Sequence, residues 1–307
     1  MKEINNFLKT VLVIFLFFTV QAESKILNIG NPDAKVAVKI FSSLKCPHCA
    51  NFHEVIFDKL TTGIVMKYLM EFEPIIKKSS SLSPHTFSGL AGVCEYLAEP
   101  RSKEELAALF KTCHTNKIPF RILGNGCNLL VRSAVVPGVV VKLTNPAFCG
   151  FENLGNTVRM GAGASIFSAI SFCSQNNMAG FETLIGIPGT IGGALLSNTS
   201  DKSGPISRFV RKIEVIDSLG IIQIRDKEEI SFSDKGNDLR DPVILSVEFA
   251  FENDKTESIV KRLRKAWISR KIQLPLGVPY AGKIFKNPRG LTAASLVEQG
   301  GFQKTKV

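Results

Sequence analysis

Two glycine-rich segments, about sixty residues apart, constrain the fold of this 307-residue chain most strongly. The first, 124–130, reads Gly-Asn-Gly-Cys-Asn-Leu-Leu after a strand pattern at 120–123, and the second, 186–194, reads Gly-Ile-Pro-Gly-Thr-Ile-Gly-Gly-Ala. Glycine lets the backbone approach a phosphate closely, and successive N–H groups form a concave anion site. The first segment alone also fits a tight structural turn, because Leu129 stands where the doubly wound dinucleotide fold has a third glycine. Together the segments predict loops that hold the two phosphates of a dinucleotide.

The surrounding sequence predicts both strands and helices. A strand is expected at 95–98, and Ser102 and Glu105 form a capping box in which Ser102 accepts from the third helical N–H and Glu105 reaches back. The helix that follows is amphipathic, with apolar Leu106, Ala107, Leu109 and Phe110. A third turn, Gly-Ala-Gly at 161–163, leads into a helix expected at 165–178.

The net charge of +11 is concentrated near the C-terminal end. Residues 255–307 contain twelve Lys or Arg against two Glu. Such a surface attracts phosphorylated or nucleotide ligands or nucleic acid, whereas the alternative is a solvated basic helix at 256–271. Glycines and prolines are dispersed and no repeat is present, which excludes disordered and solenoid classes.

The seven cysteines do not form a disulfide pattern. Five are scattered in apolar or glycine-rich settings, as is typical of buried thiols in a reducing compartment. These are Cys94, Cys113, Cys127, Cys149 and Cys173. No metal site is expected, because His85 and His114 have no Cys or carboxylate partners at metal-ligand spacing.

The N-terminal residues 1–22 have the pattern of a secretory signal peptide or hydrophobic anchor. Lys2 and Lys9 precede an apolar run at 11–20 that is too short to span a bilayer comfortably. A buried helix is the alternative. Any membrane contact is expected through this segment alone.

A strand pattern at 36–41 leads into Cys46-Pro47-His48-Cys49 and a helical pattern. A helix N-terminus lowers the pKa of the first thiol of such a pair, which favours disulfide exchange. Over about 29–60 the chain resembles the periplasmic thiol:disulfide oxidoreductases, which implies a redox dithiol at Cys46 and Cys49. The further strands of a thioredoxin fold do not follow, so a fragment is expected and not a working domain.

From about 82 to 302 the motifs resemble the UDP-N-acetylenolpyruvoylglucosamine reductase family. They are the nonapeptide at 123–131, the turn at 161–163, the segment 186–194 with Asn198, and Lys-Ile-Phe-Lys-Asn-Pro-Arg-Gly at 283–290. The resemblance implies an α+β, two-lobed FAD-binding fold of the vanillyl-alcohol oxidase type. It also implies FAD as cofactor, NADPH as hydride donor and an enolpyruvyl UDP-sugar as substrate. The residues expected to bind the cofactor are Gly124, Asn125, Gly126, Cys127, Asn128, Leu129, Gly161, Gly163, Gly186, Ile187, Pro188, Gly189, Thr190, Gly192, Gly193 and Asn198.

The catalytic positions depart from the family pattern. Lys283 stands where the family has a Ser or Cys that acts as the general acid. An ungapped alignment places Asp234 and Lys235 at the positions of the family's Tyr-Arg pair. A lysine donates a proton only if burial lowers its pKa, and an aspartate opposes enolate charge. The family's C-terminal glutamate has no counterpart, while Lys286 and Asn287 match its substrate-contacting segment.

The sequence predicts a division into four segments. They are a signal peptide or hydrophobic anchor (1–22), a thioredoxin-like fragment and linker (23–80), an FAD-binding domain (81–252) and a truncated substrate domain (253–307). Three functions remain open: an impaired reductase of peptidoglycan synthesis, a non-catalytic FAD or nucleotide-binding protein, and an exported thiol-disulfide fusion protein. The expected partner is a nucleotide sugar and not nucleic acid. The reductase resemblance implies the cytoplasm, whereas residues 1–22 imply the membrane or periplasm.

Overall fold

The computed structural model describes residues 65–89, 91–201, 204–233, 236–273, 288 and 290–301. The chain divides into two units, Met1–Met66 and Lys67–Val307, and the description below concerns the second. Several predicted features lie outside the described residues. They are the segment 1–22, the oxidoreductase-like stretch 29–60 with Cys46 and Cys49, the positions Asp234, Lys235 and Lys283, and the substrate residues Lys286 and Asn287.

The first lobe is built on a four-stranded sheet in the order β1-β2-β4-β3. Its strands are β1 (Ile76–Ser81), β2 (Val93–Ala98), β3 (Phe120–Ile122) and β4 (Val135–Val141). β1 is antiparallel to β2, whereas β2 and β3 both run parallel to β4, with Ala98 and Ile122 opposite Val141. The three parallel strands therefore end level with each other, and the residues that follow them lie at one end of the sheet. This is where open sheets with parallel strands bind ligands.

The strands predicted at 95–98 and 120–123 are confirmed as β2 and β3. β1 lies within the stretch assigned to the linker and pairs with β2. The boundaries at 80–81 and 252–253 stay predictions.

Helix α1 (Lys103–Thr115) follows β2 and covers the sheet with the apolar face that the sequence predicts. Its buried residues are Leu106, Leu109, Phe110 and Cys113. Ser102 caps the helix by accepting from the N–H of Glu105 at 3.2 Å, as predicted. The reciprocal bond differs from the prediction, because the Glu105 carboxylate accepts from the N–H of Arg101 at 2.6 Å and not from that of Ser102.

The second lobe is an antiparallel five-stranded sheet in the order β11-β10-β14-β6-β5. Its strands are β5 (Phe151–Asn153), β6 (Val158–Gly161), β10 (Val210–Ile216), β11 (Ile222–Asp226) and β14 (Val243–Phe249). Helices α2 (Pro146–Cys149), α3 (Ile166–Gln175) and α4 (Ile191–Leu196) belong to this lobe. Three strand pairs complete it: β7 (Met178–Ala179) with β15 (Glu252–Asn253), β8 (Ser200–Asp201) with β9 (Gly204–Pro205), and β12 (Phe232–Ser233) with β13 (Gly236–Asn237).

Two predictions for this lobe need correction. The helix expected at 165–178 ends at Gln175, because Asn177 takes a left-handed conformation (φ 59°) and the chain then enters β7. The second glycine-rich segment is not a loop throughout. From Ile191 it is the first part of α4, capped by the Thr190 side chain.

The predicted basic helix is α5 (Thr256–Gln273), and a short α6 (Ala293–Gln299) follows it. Arg262 fastens α5 to the lobe, since its Nε lies 2.7 Å from Glu182 and its Nη1 lies 2.6 Å from Asp254. Other basic side chains of α5 are exposed, namely Lys261, Arg264, Lys265 and Lys271. No helix among the described residues combines the length and the apolar character needed to cross a membrane.

Candidate functional site

A cavity of about 320 Å³ lies where the carboxyl ends of β3 and β4 meet the second lobe. The first lobe contributes Ile122, Leu123, Gly124, Asn125, Lys142, Leu143 and Thr144. The second lobe contributes Cys149, Ala162, Gly163, Thr190, Gly192, Gly193, Leu196, Asp241, Pro242 and Ile244. Most of the wall is apolar, and a few polar groups converge on it, as is typical of small-molecule sites.

The two lobes pack closely against each other at Gly124 and Thr190. A Cβ atom added at Gly124 would lie 2.8 Å from the Thr190 hydroxyl, which is closer than side chains pack. At Gly192 an added Cβ would lie 3.1 Å from the Cβ of Ala162. Gly124 meets the Thr190 side chain and Gly192 meets Ala162, so neither position has much room for a side chain.

Three N–H groups of the second glycine-rich segment, those of Ile191, Gly192 and Gly193, already donate within the protein. The N–H of Ile191 donates to the Ala164 carbonyl at 2.9 Å, and that of Gly192 donates to the Ala162 carbonyl at 2.9 Å. The N–H of Gly193 donates to the Thr190 hydroxyl at 3.3 Å. The first two bonds anchor α4 to the connection between β6 and α3, so these N–H groups are not free to hold a phosphate. Phosphate binding by the rest of the segment stays a prediction.

The first glycine-rich segment behaves in the opposite way. Within the described part of the chain, the N–H groups of Gly124, Asn125, Gly126 and Cys127 make no hydrogen bond. Gly126 is left-handed (φ 59°) and packs against the backbone of His85, which leaves no room for a side chain there. This turn therefore retains free backbone donors for an anion.

The structure brings six of the sixteen predicted cofactor residues to the cavity wall. These are Gly124, Asn125, Gly163, Thr190, Gly192 and Gly193. The other ten do not line it: Gly126, Cys127, Asn128, Leu129, Gly161, Gly186, Ile187, Pro188, Gly189 and Asn198. Gly186 instead lies beneath the Trp267 and Arg270 side chains of α5.

Asn198 is buried and engages the backbone at both ends of its amide. Its Nδ2 donates to the Ser233 carbonyl at 2.9 Å, and its Oδ1 accepts from the N–H of Ser207 at 3.3 Å. These bonds give it a structural role, tying the end of α4 to two neighbouring segments.

Sequence reasoning missed the charged residues of the wall. Asp241 is neutralised by a bidentate pair with Arg225, with Nε to Oδ2 at 3.1 Å and Nη2 to Oδ1 at 2.9 Å. The pair raises the pKa of Arg225 above its ordinary value. Lys142 directly follows β4, and Nζ lies 3.0 Å from Nδ1 of His85. The sequence does show that Lys142 directly follows the valine run 139–141 of β4. Which residues surround Lys142, however, depends on the order of the strands in the sheet.

The cysteines in the described residues are free thiols. Cys94, Cys113 and Cys173 are buried, as predicted, whereas Cys127 and Cys149 are half-buried. Burial raises the pKa of Cys113 and of Cys173 to about 12. Cys149 lies at the cavity wall, but burial raises the pKa of its thiol too, so its thiolate is scarce. No group of His, Cys, Asp and Glu within the described ranges has the arrangement of a metal site.

Comparison with known proteins assigns the class. The family described as FAD binding domain matches residues 94–224, and the family described as Thioredoxin matches residues 22–83. The solved UDP-N-acetylenolpyruvylglucosamine reductase of Thermus caldophilus is 28% identical, with a TM-score of 0.62 over 74% of this chain and 79% of that one. A Phl p 4 variant that is a glucose oxidase shares the fold alone, at 12% identity and a TM-score of 0.51 over 62% of this chain and 44% of its own. The chain is therefore a flavoprotein with the two-lobed FAD-binding fold.

The family follows from a curated relative. UDP-N-acetylenolpyruvoylglucosamine reductase of Caldanaerobacter subterraneus is 34% identical over 252 residues, which cover 81% of this chain and 80% of the relative. The chain belongs to the UDP-N-acetylenolpyruvoylglucosamine reductase family, and its cofactor is FAD.

The cavity fits this cofactor. The largely apolar wall suits the faces of a flat ring system, and the two turn residues that line the cavity, Gly124 and Asn125, offer free N–H groups to a diphosphate. The acidic Asp241 does not repel an anionic ligand, because Arg225 neutralises it.

Proposed function

We propose that this chain binds FAD in the cavity between the lobes and descends from NADPH-dependent reductases that act on UDP-N-acetylglucosamine enolpyruvate in peptidoglycan synthesis. We further propose that catalysis is impaired in this copy. The observation that carries the proposal is the pairing of an apolar interlobe cavity with the free N–H groups of the first glycine-rich turn.

When bound, FAD supplies hydride transfer between a nicotinamide donor and an enol ether. The role of the protein is to bind the cofactor and to orient it. Leu123, Leu143 and Ile244 give the cavity an apolar wall that excludes water from the reacting groups. Gly124 and Thr190, one from each lobe, pack closely against each other at the cavity wall.

The proposed impairment rests on residue types. Reduction of an enol ether needs a group that protonates one carbon and a cation that stabilises the enolate. Lys283, Asp234 and Lys235 stand at the matching positions of the family. A lysine ammonium with an ordinary pKa is a poor acid at neutral pH, and an aspartate carboxylate opposes the developing charge.

Strand β13, whose Gly236 and Asn237 follow Lys235 in the sequence, contacts helix α4. The Nδ2 of Asn237 donates to the Leu195 carbonyl at 2.8 Å, and a Cβ added at Gly236 would lie 2.6 Å from the Leu196 carbonyl. Leu196 lines the cavity, so strand β13 reaches the helix that forms the wall.

The first experiment is an absorbance spectrum of the purified protein, before and after incubation with FAD. We expect a flavin band that stays with the protein through gel filtration. A protein that takes up no FAD would contradict the proposal.

The second experiment measures NADPH oxidation with the enolpyruvyl UDP-sugar present. The wild-type chain is expected to be slow or inactive, and the triple variant Lys283→Cys, Asp234→Tyr, Lys235→Arg is expected to gain activity. If the triple variant binds FAD and stays inactive, the substitutions do not account for the impairment.

A non-catalytic FAD or nucleotide-binding protein is the second candidate, favoured by the same three substitutions. It predicts a stable flavin complex without substrate-dependent NADPH oxidation, even at high protein concentration. The exported thiol-disulfide fusion is the third, favoured by the Thioredoxin match at 22–83. It predicts cleavage near residue 22 and a reversible Cys46–Cys49 disulfide. Uncleaved protein retained in the cytoplasm would contradict it.

A further inference from the structure

A second cavity of about 360 Å³ adjoins the first. It is lined by Pro84, His85, Thr86, Phe87, Asn125 and Lys142. Asn125 and Lys142 line both cavities, so they form the partition between them. The turn with free N–H groups begins beside the same partition, at Gly124.

Lys142 is a half-buried cation whose ammonium has hydrogen-bond donors available for a ligand. It lies directly after the central strand β4, and its own N–H is fixed by the Ala98 carbonyl at 2.9 Å. Within the described residues its ammonium makes one hydrogen bond, to Nδ1 of His85. An ammonium carries three donors, so two remain for a group in the cavities.

Among the described residues, Glu99 and Lys77 are the charged groups that act on His85 and Lys142. Glu99 follows β2, and its carboxylate is held by Lys77 at 2.7 Å and by the Thr144 hydroxyl at 3.1 Å. Burial and the charge of Lys142 lower the pKa of His85, and Lys77 acts in the same direction, whereas Glu99 acts against them. Burial also lowers the pKa of Lys142, again opposed by Glu99. The imidazole is therefore neutral at neutral pH, and its Nδ1 accepts from the ammonium.

Given the proposed FAD site, we propose that Lys142 supplies the positive charge that meets the diphosphate of the bound dinucleotide. His85 is a positioning residue, which holds the ammonium at the partition only while its imidazole is neutral. Protonated His85 has no free acceptor and repels Lys142, so acid releases the lysine from the partition and weakens cofactor binding.

The first arm of the test measures the dissociation constant for FAD by quenching of flavin fluorescence. Lys142→Met is expected to raise it on the order of tenfold or more, the size of one hydrogen bond to a charged group. Lys142→Arg should restore most of the affinity, and the matched charge loss Lys78→Met, at an exposed residue of β1, should leave it unchanged. Melting of each apo-protein separates lost binding from lost folding. Lys142→Met binding FAD as tightly as the wild type would overturn the proposal, as would a loss that Lys142→Arg does not restore.

The second arm compares wild type and His85→Asn between about pH 7 and about pH 5. The asparagine oxygen can accept from Lys142 but does not titrate. The wild-type dissociation constant should rise as the pH falls, whereas that of His85→Asn should stay nearly flat. Equal pH dependence in both proteins would overturn the role of His85. A wild type that binds no FAD would instead refute the cofactor site itself.

Discussion

Replacement of Gly124 by alanine tests whether contact between the two lobes, and not backbone flexibility, requires this glycine. The backbone of Gly124 lies outside the left-handed region, so alanine can adopt it. The obstacle is a single atom, the Thr190 hydroxyl oxygen, 2.8 Å from the added Cβ. The next neighbours are Thr190 carbons at 3.6 and 3.8 Å, which are ordinary contacts.

The magnitudes follow from these contacts. Gly124→Ala should cost about 1–3 kcal/mol, the usual range for overpacking, which for a unit of this size lowers Tm by about 2–4 °C per kcal/mol. Thr190→Ala removes the obstacle and the cap on the Gly193 N–H, and should cost about 1 kcal/mol. In the Thr190→Ala background, Gly124→Ala should cost nothing or stabilise by about 0.4–1 kcal/mol, since alanine restricts the unfolded chain.

The assay is urea and thermal denaturation of the apo-protein for the wild type, both single variants and the double variant. Gly150→Ala is the matched control, because its added Cβ meets only the Pro146 carbonyl at 3.5 Å and its φ is −74°. The coupling between positions 124 and 190 should be about 1–3 kcal/mol, as for residues in direct contact. Additive costs would refute the reasoning, because the hydroxyl would then not be the atom that excludes a side chain.

Two further perturbations test the packing of the second lobe. Arg262→Ala should destabilise the protein by about 1–3 kcal/mol, mainly because the buried Glu182 loses its charged partner. Replacement of the exposed Arg264 by alanine should change stability by less than about 0.5 kcal/mol. Thermal denaturation checks both variants, and equal losses would contradict the role of the Arg262–Glu182 pair. The thiols of Cys113 and Cys173, with pKa values of about 12, should resist iodoacetamide at mildly alkaline pH in the folded protein and react in urea. Peptide mass spectrometry measures this, and equal labelling in both states would contradict the burial argument.

Local signals were enough for β2, β3 and α1 of the first lobe, but β1 and β4 were not predicted. The cap at Ser102 and the apolar spacing of the following helix predicted α1, because a helix start and its buried face are encoded within a few residues. The glycine-rich motifs likewise located both sides of the cavity, and the family resemblance gave the cofactor. Such features need no knowledge of what lies far away in the chain.

The features of the site that the sequence did not predict depend on contacts between residues far apart in the chain. The N–H groups at 191–192 are used by carbonyls at 162 and 164, which no local pattern reveals. Lys142 reaches the site because β4 lies between β2 and β3, an order that the sequence does not state. The Asp241 carboxylate does not repel an anionic ligand at the cavity wall because Arg225 of β11 pairs with it. Sequence reasoning therefore found the backbone of the site and missed its charges.

The contacts also explain how cofactor binding would persist if catalysis is impaired as proposed. Gly124 against Thr190 and Gly192 against Ala162 are packing contacts, so a change there lowers the stability of the whole unit. A chain that must only fold keeps these residues, and the cavity with them. Catalytic groups, in contrast, contribute little to folding and often cost stability, so their substitution is tolerated once turnover is no longer required. Bound flavin is therefore not proof of reductase activity in this chain, and substrate-dependent NADPH oxidation is the measurement that separates an enzyme from a flavin-binding descendant.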